Sequence, residues 1–288
     1  MREFIISTDS TADLSDEYIN SEKIAIHPIN YIVDDVEYGY NLTRLSPAEF
    51  YRKMKEGRMP TTCASNPGYI TELMENQVKE GYDILHISFS SAMSSSYNNA
   101  VMASKTVMEE YSDAKIIVVD SLAATTGQGL MVYYACEMKK AGKTMDEIAK
   151  WLEENKYHFV HQFVVEDLFH LMRGGRVSKS TAVIGTALKI QPVLYLDNEG
   201  RIQSLSKARG RKKALNMLVD NMAEKAQGIE QKAVMITHAA AKEDAEYVAG
   251  KIKETLGIEH CIINDLGPTI GAHTGPGAVV LSYFAKER

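Results

Sequence analysis

The chain has 288 residues, 45% of them hydrophobic and 24% charged, and carries a net charge of −6 at neutral pH. That length supports one large core or two medium ones, in the balance of a soluble globular protein. The negative charge argues against nucleic acid and anionic membrane surfaces, and no apolar run approaches the roughly 20 residues a membrane helix needs. The N-terminal MREFIISTDST lacks the long apolar stretch and small-residue cleavage site of a signal peptide. Cys63, Cys136 and Cys261 are widely spaced and odd in number, as expected for reduced thiols rather than a disulfide framework or metal site. A cytoplasmic location is therefore expected.

Phe4-Ile5-Ile6 opens a strand that runs into the polar turn Ser7–Thr11, and Ser15 caps a short helix through Tyr18 and Ile19. Ile24–Ile29 reads as a second strand, and Asp34-Asp35 joins Tyr31–Val33 to Val36–Tyr38 as a hairpin. Ser46-Pro47-Ala48-Glu49 starts a helix to about Lys55, with proline at its first position. The hydroxyl-bearing loop Pro60–Pro67 enters another helix, ending near Lys79. Next comes Ile84–Tyr97: a short buried-strand pattern, five serines (Ser90, Ser91, Ser94, Ser95, Ser96), then a helix through Ala100, Val101, Val107 and Met108. The first amides of a helix lack internal partners, and serine hydroxyls beside them donate or accept. Such a corner suits an anion's oxygens, those of a carboxylate above all. A plain serine N-cap explains one serine more easily than five. Ile116–Val119 is a strand ending at Asp120-Ser121, followed by helices over Thr126–Lys140 and, capped by Thr144, to about Asn155. Strands alternating with helices predict a largely parallel sheet covered on both faces, with its polar loops gathered on one edge.

A change of character places a boundary between Trp151 and Val160. The expected units are an α/β domain over 1–157, to which a final strand in 275–288 returns, and a second α/β domain over 158–274, with a ligand between them. Phe163–Val165 and Leu168–Leu171 precede Arg173-Gly174-Gly175-Arg176, and 177–190 reads as a helix with Ile184, Ala187, Leu188 and Ile190 on its apolar face. Pro192–Leu196 and Arg201–Leu205 form an antiparallel hairpin; the basic run Lys207–Lys213 leads into a helix to about Gln227. Ala233–Thr237, Glu243–Leu256 and His260–Asn264 make a strand-helix-strand unit. Glycine and proline density in Gly267–Gly277 predicts a turn presenting His273, ahead of a strand over Ala278–Phe284. Taken alone, that histidine reads as a surface residue.

Together these stretches resemble the DegV family of bacterial fatty-acid-binding proteins, which includes the acid-carrying subunit of fatty acid kinase. The resemblance spans nearly the whole chain. It rests on STDSTADL (Ser7–Leu14), FSSAMSSSY (Phe89–Tyr97, where the family has S-S-x-L-S-G-T-Y), VVDS (Val118–Ser121) and LMRGGRVS (Leu171–Ser178). The basic R-x-R-K-K at Arg209–Lys213 and IGAHTGPGA at Ile270–Ala278 complete it. The combination is specific, although no single piece is. It implies a two-domain DegV-like α/β fold and a long-chain fatty acid as ligand, with no other cofactor and no metal. Matched motif by motif, it implies Thr62, Ser94 and His273 as the carboxylate's partners. Thr61 is the alternative to Thr62, because Cys63-Ala64-Ser65 and Pro67 replace the family's T-S-x-P; likewise Ser95-Ser96 replaces Gly-Thr. The resemblance further implies that Arg173, Arg176 and Arg209 dock a kinase subunit. Phe163, Leu168, Val193, Ile184 and Leu188 are candidates for the tunnel wall or for ordinary core.

Two other functional classes compete with such a carrier. A hydrolase of acyl esters or thioesters would use Ser94 or Ser95 with His273, but the chain has no G-x-S-x-G elbow and no evident acid to orient the histidine. A regulatory or scaffold protein is the third class. No G-x-x-x-x-G-K-[S/T] phosphate loop is present, so a phosphoryl donor would have to be bound by another protein.

Overall fold

The computed structural model describes residues 2–166, 168–178 and 190–288. Most of the helix expected over 177–190, including Ile184, Ala187 and Leu188, lies outside the described residues, and Ile190 itself opens a strand.

The first sheet is parallel, in the order β2 (Ala25–His27), β1 (Glu3–Asp9), β6 (Tyr82–Ser88) and β7 (Ile116–Asp120). Its strands are buried on both faces, as the pleat requires when helices cover each side. Ile84 packs with α3 (Pro67–Lys79) and α4 (Ser96–Glu110), whereas Leu85 packs with α5 (Thr125–Lys140) and α6 (Met145–Asn155). Side-chain caps set several helix starts: Ser15 accepts from Tyr18 N at α1 (Asp16–Glu22), Ser46 from Glu49 N at α2 (Pro47–Lys55), and Thr144 forms a full capping box with Glu147. A small antiparallel sheet, β4 (Val36–Tyr38), β3 (Tyr31–Val33) and β5 (Thr61–Thr62), sits beside this unit. Its hairpin turns at Asp34 and Asp35, with φ of 52° and 62°, the left-handed pair that matches strand twist.

The second sheet is mixed, in the order β10 (Ile202–Arg209), β9 (Ile190–Leu196), β8 (Phe159–Val164), β13 (Val279–Phe284), β11 (Met235–His238) and β12 (Ile262–Asp265). Helices α8 (Arg211–Lys225) and α9 (Lys242–Leu256) cover one face. The other face meets α5, which also contacts β1 and β6 of the first sheet. A helix between two sheets has no solvent side, and Thr125 to Val132 are all buried. Glycines allow the close fit: a Cβ at Gly129 would lie 2.6 Å from Ala12 O. Two short helices, α7 (Phe169–Arg173) and α10 (Pro268–Thr274), complete the elements used below.

Three expectations need correction. The last strand does not return to the first sheet but lies between β8 and β11, antiparallel to both, with Val279–Tyr283 buried. The segment holding His273 is a helix, with Pro268 in its first turn and Gly275 (φ 76°) ending it; Gly271 is there because a Cβ would collide with Tyr51. The first part of the basic run, through Arg209, is strand β10.

Arg288 ties the two sheet units together. Its guanidinium donates to the carbonyls of Phe159 (3.1 Å), Leu122 (2.9 Å), Asp197 (2.8 Å), Ser121 (3.3 Å) and Lys156 (3.0 Å). All its N–H groups are thereby used, and burial brings its pKa down to about 10. Arg288→Ala leaves buried carbonyls unpartnered and is expected to cost about 2–4 kcal/mol. Urea unfolding checks this: a lower midpoint at unchanged slope is expected, and an unchanged midpoint would refute the tie.

Candidate ligand-binding site

A cavity of about 380 Å³ lies where the loops of the first sheet meet the second. Thr11, Phe89, the serine loop and the start of α5 line it from one side, and His161, Phe163, Leu196 and Val280 from the other; Thr62 and α10 close it. Most of the wall is apolar, as small-molecule pockets usually are. Phe163 faces it as expected. Val193 does not: strand alternation puts it on the opposite face of β9, packed with the α8 side of the sheet. Leu168 belongs to the adjoining core, and Leu196, not anticipated, takes a place in the wall.

The serine loop is anchored before it reaches the cavity. Asp9, at the end of β1, accepts from Phe89 N at 2.6 Å and from Ser88 Oγ at 2.9 Å. Burial pushes the Asp9 carboxyl up, but the hydrogen bonds and charge of its neighbours, His86 foremost, outweigh this and hold it below the ordinary range. Ser90 donates to Gly200 O at 3.0 Å, and Ser91 N donates to Asp120 Oδ1 at 3.2 Å. Ser94 N donates to Ser90 O, which leaves Ser94 half-buried on the cavity wall. Its Oγ is 2.9 Å from Ser96 Oγ and accepts from Ser96 N at 3.2 Å, at the first turn of α4. Sequence reasoning missed Asp9, although an aspartate ending the strand before a polar turn was a visible signal.

Thr62 Oγ1 lies 2.8 Å from His273 Nε2, across 211 positions of sequence. Pairing of Thr61 with Ile32 and of Thr62 with Tyr31 alternates the two side chains, so Thr61 is exposed and only Thr62 reaches the cavity. His273 Nδ1 has no hydrogen-bond partner among the described residues and lies against Gly174, where a Cβ would collide with it. Burial, then the charges of Arg176 and Arg173, lower the His273 pKa to about 4, so the ring is neutral at pH 7.

The R-G-G-R segment is what gathers these residues. Arg173 donates from one nitrogen to Pro60 O (2.7 Å) and Ala272 O (2.9 Å), tying the Thr62 segment to the His273 helix. Arg176 donates to Met93 O (2.9 and 3.2 Å) and to Gly174 O, tying the serine loop to the backbone against which His273 rests. Both guanidiniums are half-buried, Arg176 lines the cavity, and their partners among the described residues are backbone carbonyls. Arg209, by contrast, is exposed at the end of β10, beside exposed Lys212 and Lys213. Among the described residues, no group of three or more His, Cys, Asp or Glu is placed to hold a metal ion, and no helix is long and apolar enough to cross a membrane.

A profile described as "Uncharacterised protein, DegV family" matches residues 3–286. A DegV domain-containing protein of Clostridium perfringens is 41% identical over 289 aligned residues, covering 100% of this chain and 99% of that protein. Among solved structures, a DegV lipid-binding protein from Thermotoga maritima is 29% identical, with a TM-score of 0.86 and 99% of each chain covered. A DegV family protein from Thermus thermophilus, described by its fatty acid binding, is 27% identical, with a TM-score of 0.87 over 99% of this chain and 100% of that one. The chain belongs to the DegV family.

Proposed function

We propose that this protein binds a long-chain fatty acid between its two sheet units, residues 1–157 and the remainder, with the carboxylate held by Thr62, Ser94 and His273. It then presents that carboxylate to a separate ATP-dependent kinase, which forms an acyl phosphate. One observation carries the reading: three polar side chains from distant segments line a single cavity whose wall is otherwise mostly apolar. The fatty acid binding described for the Thermus thermophilus relative supports it.

The energetics agree. A bare carboxylate costs several kcal/mol to bury unless hydrogen-bonded and charge-compensated. Here Thr62, Ser94 and neutral His273 offer hydrogen bonds, while Arg173 and Arg176 offer positive charge that no side-chain carboxylate neutralises among their described partners. At about 0.8 kcal/mol per buried CH₂, a sixteen-carbon chain contributes up to roughly 11–12 kcal/mol before ordering costs. The head therefore sets orientation and the tail supplies most of the affinity. The hydrolase alternative finds less support. Ser94 Oγ pairs with Ser96 rather than His273, and His273 Nδ1 faces Gly174 rather than an acid.

Removing a hydrogen bond to a charged oxygen should weaken acid binding by about tenfold or more in Ser94→Ala and in His273→Ala. Mass spectrometry of co-purified lipid and direct titration read this; retention unchanged in both variants removes the assignment. Ester turnover by the wild type that Ser94→Ala abolishes would favour the hydrolase instead. Arg209→Ala is expected to keep its lipid yet lower acyl phosphate formation with a partner kinase, and equal product from both proteins excludes that docking role.

A pH dependence follows from His273. Its folded pKa of about 4 lies below the ordinary 6.5, so between these values the unfolded chain binds more protons and stability falls as pH falls. In delipidated protein, His273→Gln should flatten the stability curve between pH 6.5 and 4, by on the order of 3 kcal/mol across that window. Parallel curves for the two proteins would contradict a buried neutral histidine.

A further inference from the structure

The cavity holds a second polar position that the carboxylate contacts leave unused. His161 lies on β8 two residues before Phe163 and on the same face, which places it about 6–7 Å further along the strand. That direction leads away from the α7 and α10 end, where Arg176 and His273 sit, because β8 runs towards α7 and its partner β13 leaves α10 there. The ring is fixed from behind. Its Nδ1 is 3.3 Å from Ser282 Oγ, which is 2.9 Å from Thr126 Oγ1. Gly127 makes room for it, since a Cβ there would lie 2.5 Å from Nδ1.

Only 3% of His161 is exposed, yet Nε2 has no hydrogen-bond partner among the described residues. Burial, then the charge of Arg288, lower its pKa to about 3, so the ring is neutral and offers Nε2 as one donor or one acceptor. The neighbouring polar groups of the wall are already engaged. Thr11 donates to Gln128 Oε1 at 2.9 Å, and Thr125 Oγ1 shares a hydrogen with Thr237 Oγ1 at 2.9 Å. A plain hydrocarbon chain against Nε2 would leave a buried polar atom unsatisfied, a cost that an aliphatic side chain at 161 would avoid.

We propose that His161 is a specificity residue, selecting acyl chains that carry a hydroxyl along the chain and pairing with that hydroxyl through Nε2. A hydroxyl both donates and accepts, so it satisfies either tautomer of the ring. The inference rests on the fatty-acid reading above and adds a substrate class to it.

The test titrates delipidated protein with stearic acid and with a positional series of monohydroxystearic acids, in the wild type, His161→Leu and His161→Met. At the matching hydroxyl position, the ratio of hydroxy-acid to plain-acid affinity should be about tenfold higher in the wild type than in either variant. Equal ratios at every position overturn the proposal and leave a water molecule as the partner of Nε2. A wild type that binds none of these acids defeats the fatty-acid reading itself, an outcome visible without any variant. Should both variants fail to fold, the lipid that co-purifies with the wild type decides. Hydroxylated chains enriched over the host's free fatty acid pool support the proposal, and a population matching that pool overturns it.

Discussion

Two guanidiniums, three residues apart, set the geometry of the cavity's polar end. Arg173 reaches the carbonyls of Pro60 and Ala272 together, and Arg176 reaches those of Met93 and Gly174. Each pair brings a loop of the first half of the chain against a segment of the second. Without these bridges, Thr62, Ser94 and His273 would sit on three independently anchored pieces of backbone. Arginine suits the task because its planar fork holds several acceptors in fixed directions, which a lysine's single ammonium does not.

The bridges have an electrostatic consequence. Backbone carbonyls accept from the two arginines without cancelling their charge. The positive field that results is strong enough, with burial, to keep His273 unprotonated at neutral pH. In the proposed complex, a fatty-acid carboxylate would meet the charge of arginines already committed to backbone carbonyls, and hydrogen-bonding groups beside them. Charge compensation and hydrogen bonding would thus come from different residues, and Thr62, Ser94 and His273 would fix where the oxygens lie.

Much of the architecture was legible because it is local. The strand-serine-helix passage at Ile84–Tyr97, the Asp34-Asp35 hairpin and the caps at Ser15 and Thr144 each follow from the periodicity or side-chain chemistry of a few residues. What escaped is non-local. The partners of Val279–Phe284 are set by which sheet has a central vacancy, and nothing within the strand states this. The glycines around His273 read as turn formers, but Gly271 serves close packing against Tyr51 inside a helix. Arg173 and Arg176 read as solvated charge available to a partner, since carbonyl acceptors supplied by distant loops leave no mark in sequence. The candidate carboxylate partners Thr62, Ser94 and His273 came from a family resemblance. Periodicity alone singled out the serine loop and left His273 as a surface residue.

Helix α5 is shared by the cores of both sheets, fitted against Ala12 through Gly129 and against His161 through Gly127. Two bodies that own a helix in common cannot swing apart like the covers of a book without dismantling both interiors at once. A guest of the cavity would therefore pass between the loops that border it, not through a parting of the two sheets.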